Sequence, residues 1–197
     1  MNFPTHIQMA KTLYRQLSHA IDLDADAFIY GNIKPDCTPK ALLRPHTLSN
    51  HLDTVLDLVD QLVNEAWSRA DFSEKLGECC HYLCDFFCFY HAKEEKFHRL
   101  VSHWVYEARL NKHHAKMTDL QSVFSFHQNP IGDLKTYICD KQESYLSEKH
   151  QFELDIFYAY RVCKVACESI AYYATKSYVG CDPYLAQPAF VKGGGFR

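Results

Sequence analysis

Glycine is scarce, with seven residues in 197, and none falls in a Gly-rich phosphate loop, so nucleotide-dependent transfer is not expected. No run approaches the roughly 18 apolar residues of a membrane span. The densest apolar stretch, Leu83 to Tyr90, is interrupted by Asp85. The first residues, Met1-Asn2-Phe3-Pro4-Thr5-His6, lack the basic start and apolar core of a secretory leader, so a cytoplasmic setting is expected. Cys-x-x-Cys is absent despite nine cysteines, which argues against a zinc ribbon. The odd cysteine count without a leader predicts reduced thiols. No His precedes an Asp and no His-Glu-x-x-His occurs, which removes two common metallohydrolase motifs. Lys and Arg number 21 against 24 acids, a net charge of -3, so there is no basic footprint for duplex nucleic acid.

What the chain has in excess is histidine, twelve residues, the commonest metal ligand and a proton carrier near neutral pH. Periodicity is helical and strand alternation is absent. Helices are expected over about 6–20 with Thr5 as N-cap, 47–68, 71–90 with Asp71 as cap, 93–112, 117–125, 131–148 and 150–178. Residues 28–46, with Gly31, Pro35, Pro39 and Pro45, read as an ordered loop. The expected architecture is one all-α domain, a bundle of six or seven helices over 1–179, followed by an extended tail over 180–197. Cys80, Cys84 and Cys88 recur every four residues, as do Cys163 and Cys167, and read as small core residues on helix faces. A thiolate of Cys84 or Cys88 near a metal is the sharper alternative.

His81-x3-Asp85 and His103-x3-Glu107 each place an imidazole and a carboxylate on one helix face, a workable bite for a cation. His91 lies between the pairs; His6, Asp36 and His46 lie upstream. The ordered set resembles the zinc-dependent phospholipase C family, which is related to the single-strand-specific zinc nucleases. The matching residues are Asp36 within Gly31-Asn-Ile-Lys-Pro-Asp36, then His46, His81-x3-Asp85-x5-His91 and His103-x3-Glu107, with His6 ahead and Gly77 flanking. The resemblance spans about residues 6–107. It implies an all-α bundle of the phospholipase C/nuclease type with the metal site between helices, holding two or three zinc ions. Asp36, His46, His81 and Asp85 would hold one zinc, and His91, His103 and Glu107 a second. Asp85 would bridge to a third zinc shared with His6.

Three departures from the family pattern bear on this assignment. Secreted members use a processed amino terminus as a ligand of the third zinc, and no leader is evident to expose one. The Asp85–His91 link, Phe86-Phe87-Cys88-Phe89-Tyr90, contains nothing that breaks a helix; six residues of continuous helix turn about 600° and would swing His91 away from Asp85. His98 and His51 compete with His103 and His46. His51, His113, His114, His127, His150 and His19 read otherwise as solvated or capping residues. A ferritin-like reading of Glu78-x-x-His81 and Glu95-x-x-His98 trails, because these lie too close in the chain for two bundle helices.

The function expected is zinc-dependent phosphodiester hydrolysis of the phospholipase C kind, with Asp36 as ligand or as the residue that orients the attacking water. The substrate would be a phosphodiester such as a phospholipid headgroup at a membrane surface. A nuclease or nucleotidase on the same metals, or a metal-stabilised helical scaffold without catalysis, are the alternatives.

Overall fold

The computed structural model describes residues 1–38, 44–93, 100–117, 120, 124–125 and 129–179. They form a single all-α domain whose helices are α1 (Phe3–Leu17), α2 (Ala25–Gly31), α3 (Leu48–Asn64), α4 (Arg69–Phe86), α5 (Phe89–Ala92), α6 (Leu100–His114), α7 (Leu134–Ser147) and α8 (Phe152–Val179), with a 3-10 turn at Pro35–Cys37. No strand occurs among the described residues, and none of their helices is long and apolar enough to cross a membrane. The expected tail over 180–197, most of the expected helix over 117–125, His127, and the competing motif at Glu95 and His98 lie outside the described residues.

Several helix ends differ from the sequence reading, each for a local reason. Asn2, not Thr5, caps α1: its side chain accepts from the Thr5 N–H at 3.1 Å, and Pro4 sits in the first turn, where its missing N–H costs nothing. Thr5 is inside the helix and buried. The segment read as loop from 28 begins inside α2, a seven-residue helix capped by Asp24 and too short to show periodicity. Ser68 rather than Asp71 caps α4, accepting from the Asp71 N–H at 3.1 Å while its hydroxyl donates to Asp71 Oδ2 at 2.6 Å. Of the helix expected over 93–112, Lys93 is not helical, residues 94–99 lie outside the described residues, and α6 covers Leu100–His114.

α4 is the axis of the bundle. Every residue from Cys79 to Phe86 is buried, because α2, α3 and α8 surround the helix instead of leaving it a solvent face. Each fully buried Phe72, Leu76, Leu83 and Phe86 contributes on the order of 2 kcal/mol of apolar burial. α2 meets α4 backbone to backbone. A Cβ on Gly77 would lie 2.3 Å from the Phe28 carbonyl oxygen, and one on Gly31 2.0 Å from that of Glu74, so only glycine fits at either position. On the other flank Cys80 and Cys84 of α4 face Cys167 and Cys163 of α8, with Sγ–Sγ separations of 3.3 and 3.6 Å. They are buried thiols whose ionisation burial opposes, in keeping with small core residues.

α4 ends at Phe86. Cys88 is extended (φ -95°, ψ 126°) and α5 starts afresh at Phe89. The break has a partner in α8: Asp155, fully buried, accepts the Phe89 N–H at 3.1 Å. The same carboxylate accepts the hydroxyls of Tyr106 at 2.5 Å and Tyr145 at 2.7 Å, so α5, α6, α7 and α8 meet on one side chain.

Candidate metal centre

The break after Phe86 reverses the expectation that a continuous helix would swing His91 away. His91 Nδ1 lies 3.7 Å from Asp85 Oδ2. From there the eight residues named from the sequence come together at the junction of α1, the Pro35–Cys37 turn, the segment before α3, and α4, α5 and α6.

His81 and Asp85 face the centre from one side of α4, with Nε2 and Oδ2 3.5 Å apart. The His81 ring is oriented from behind: its Nδ1 donates to the Asn32 carbonyl at 2.8 Å, which makes Nε2 a bare lone pair aimed inward. His46 Nδ1 lies 2.9 Å from that Nε2 and 3.1 Å from Asp85 Oδ2. Asp36 Oδ1 lies 3.6 Å from His81 Nε2 and 3.7 Å from His46 Nδ1. His6 of α1 stacks on His81 with centroids 4.0 Å apart and puts Nε2 3.3 Å from Asp85 Oδ1. On the far side of Asp85, His103 Nε2 lies 3.1 Å from His91 Nε2 and 2.9 Å from Glu107 Oε1, with His91 Nε2 3.2 Å from the same oxygen.

Two further groups join the centre. The Met1 amino group contacts Asp85 Oδ1 and lies 3.3 Å from both Glu107 Oε1 and His91 Nε2. Cys88 also groups with His91 and Glu107. Its thiol is pushed up by burial, which the Met1 ammonium partly offsets. Sequence reasoning missed Asn32, although it lies in the loop motif ending at Asp36. A carbonyl acceptor leaves no trace in residue type.

The centre is rich in electron pairs and poor in protons. Burial and the neighbouring His6 hold His81 well below the usual imidazole range, and burial lowers His91 as well. Burial works against the Asp85 carboxylate, but His91, the Met1 ammonium and His6 outweigh it and hold the group well below its ordinary value. For Glu107 burial is likewise outweighed by the Met1 ammonium and by hydrogen bonds from His103 and His91. Asp36 is raised, by burial and then by the charge of Asp85.

Imidazole nitrogens meet one another at 2.9 and 3.1 Å, and three carboxylates share the site with one ammonium. Both His6 ring nitrogens are buried without a hydrogen-bond partner among the described residues. Such a donor set fits divalent cations: imidazole and carboxylate both suit zinc, and a bridging carboxylate lets cations sit close together. Three groupings converge tightly enough for shared ligation: His6, His81 and Asp85; Asp36, His46 and His81; Cys88, His91 and Glu107.

Other histidines are placed differently from expectation. His51 is not on the surface but buried on α3, stacked 4.8 Å from Tyr82 and edge-on to His46. His114 is buried at 2% exposure and hydrogen-bonded to Tyr160 at 2.6 Å, and burial lowers its pKa to about 4. His150 meets Tyr106 at 2.7 Å. Two clefts of about 430 and 410 Å³ lie elsewhere, beside Lys11 and Arg15 and beside Val59 and Tyr173. No residue of the centre lines either one, so cavity size does not point to the chemistry here.

Comparison with known proteins agrees with the motif resemblance and extends it. The family profile described as zinc dependent phospholipase C matches residues 5–152, past the end of α6 and into α8. No curated protein and no solved structure gives a significant match.

Proposed function

Because this chain belongs to the zinc-dependent phospholipase C family, we propose that it hydrolyses a phosphodiester, with a phospholipid headgroup as substrate. The observation that carries the reading is the convergence of imidazole nitrogens and carboxylates from six separate segments on Asp85. In this reading Asp36, His46, His81 and Asp85 hold one zinc, His91, His103 and Glu107 a second, and His6 with Asp85 a third, to which the Met1 amino nitrogen adds a donor. Zinc, when bound, supplies Lewis-acid chemistry: it offsets charge on phosphoryl oxygens and makes water nucleophilic at neutral pH.

The chain's own residues set the geometry around that chemistry. Asn32 fixes the His81 tautomer, so Nε2 presents a lone pair at all times. Asp85, with no exposed surface, keeps its charge inside the bundle and links the two halves of the site. The Asp36 side chain retains 27% exposure while Asp85 has none, so Asp36 is the carboxylate that meets solvent and substrate. It orients the attacking water and accepts its proton, in line with phosphorus and opposite the leaving alkoxide.

The test has two arms. Elemental analysis of untagged protein should give more than one zinc per chain. A panel of a chromogenic phosphocholine diester, single-stranded DNA and a nucleotide should then show zinc-dependent cleavage of the first. Metal binding without cleavage of any member would leave a metal-stabilised scaffold, and preferred cleavage of DNA would make the chain a nuclease.

A further inference from the structure

Large hydrophobic side chains left in water cluster around the centre along the chain. Among the described residues five are exposed: Phe3, Tyr30, Trp104, Val105 and Leu146. Four of these five stand beside residues of the centre. Phe3 follows Met1 by two residues, Tyr30 precedes Asn32 by two, and Trp104 and Val105 lie between His103 and Glu107. Trp104 is 70% exposed, far beyond the usual burial of the largest side chain.

α6 explains how one helix holds both characters. At about 100° per residue, Glu107 lies roughly 40° from His103, whereas Trp104, Ala108, Lys112, Val105 and Arg109 fall at roughly 100°, 140°, 180°, 200° and 240°. The inner edge carries His103 and Glu107. The outer face carries Trp104, Val105 and Ala108, all exposed, with Arg109 and Lys112, also exposed, beside them and exposed Lys116 in the turn just past its end. Between Ser102 and Lys116 the only acid is Glu107, which is buried. Of the two acids that reach this helix from α8, Asp155 is fully buried and Glu153 pairs with His113 at 2.9 Å. In a chain of net charge -3, this face has three cations and no anion of its own.

We propose that the outer face of α6, with Trp104 and Val105 as its apolar part and Arg109, Lys112 and Lys116 as its cationic part, docks the protein onto an anionic phospholipid bilayer beside the metal centre. Indole settles at headgroup depth, where its ring is buried and its N–H stays wet. The cations lie against lipid phosphates. A second copy of the chain on the same face would set Arg109, Lys112 and Lys116 against their equivalents, an unfavourable pairing. The inference rests on the reading that the substrate is a phospholipid headgroup, since it supplies the access such a substrate needs.

The chain contains two tryptophans, so Trp67→Phe leaves Trp104 as the single indole reporter. The experiment uses vesicles of phosphatidylcholine mixed with phosphatidylglycerol, with chelator present to suppress turnover. Trp104 emission should shift to the blue and be quenched by brominated acyl chains. In co-sedimentation, Trp104→Ser with Val105→Ser should weaken binding by about tenfold. Arg109→Gln and Lys112→Gln should each weaken it about fivefold on the anionic vesicles. None of these positions is buried, and circular dichroism checks that the variants fold.

The proposal is overturned if emission does not move, if the double serine variant sediments like its parent, or if a blue shift without vesicles accompanies dimerisation in sedimentation velocity. Hydrolysis of a soluble short-chain phosphodiester by the zinc-loaded parent separates the two claims. Vesicle binding without that hydrolysis removes the proposed function and keeps the docking face. Hydrolysis without vesicle binding removes the docking face alone.

Discussion

Replacing Asp155 with alanine strips one buried carboxylate from three donors at once. The Tyr106 and Tyr145 hydroxyls and the Phe89 N–H bond to it at 2.5, 2.7 and 3.1 Å, with Asp155 fully buried and both tyrosines nearly so; Tyr106 alone keeps a second partner, His150 Nε2 at 2.7 Å. Stranding a buried donor costs about 1–3 kcal/mol, and the Tyr145 hydroxyl and the Phe89 N–H are both stranded, so the loss is about 4 kcal/mol. Asp155→Asn keeps one oxygen and turns an NH2 toward the other donors, for a loss of about 2 kcal/mol. Tyr145→Phe, which removes one donor, should lose about 1 kcal/mol. Urea unfolding in chelator measures all three without the added stability of bound metal. The carboxylate also fixes the first N–H of α5, which carries His91, so cobalt titration should show the His91, His103 and Glu107 site weakened in Asp155→Asn while the other half of the centre is spared. If Asp155→Ala unfolds within about 1 kcal/mol of the parent, the carboxylate is not the junction described.

Further outcomes follow from the same geometry. Asp85→Asn should abolish hydrolysis beyond rescue by excess zinc, because Asp85 faces both halves of the centre, whereas Glu107→Gln should recover partly through His91 and His103; equal recovery in initial-rate assays would remove the bridging role. His114 has its folded-state pKa depressed to about 4, below its unfolded value, so its stabilisation is full above about pH 6.5 and is lost as pH falls toward 4. In chelator the parent should lose about 3 kcal/mol more than His114→Gln between about pH 7 and pH 4. Urea midpoints that track each other across that range would contradict it. Gly77→Ala drives a methyl into the Phe28 carbonyl and should lower stability by about 2–3 kcal/mol in thermal melts. An unchanged melting temperature would mean that α2 can move aside.

The pairs that meet at the candidate centre were legible in the sequence because helical spacing fixes how His81 and Asp85, or His103 and Glu107, share a face whatever surrounds them. The path of the chain between those pairs was not. The break at Cys88 follows from Asp155, which lies 67 residues from it, and no local signal in Phe86-Phe87-Cys88-Phe89-Tyr90 announces it. α2 escaped for another reason: seven residues make fewer than two full turns, and Pro35, Pro39 and Pro45 coloured the whole region as loop. His51 and His114 are buried because α3 and α6 turn them toward Tyr82 and Tyr160, aromatic neighbours that only the tertiary fold supplies.

The contact of Gly31 and Gly77 also governs what happens before any cation arrives. α2 lies on α4 with no side chain between them, so their separation cannot be relaxed by a change of rotamer. Asn32, the next residue after Gly31, inherits that rigidity, and its carbonyl reaches His81 whether or not the centre is loaded. The entropy of ordering this imidazole is therefore spent when the bundle folds, and cation capture at His81 meets a preorganised donor. Loosening that helix pair would leave every ligand residue in place and still weaken capture, through disorder alone.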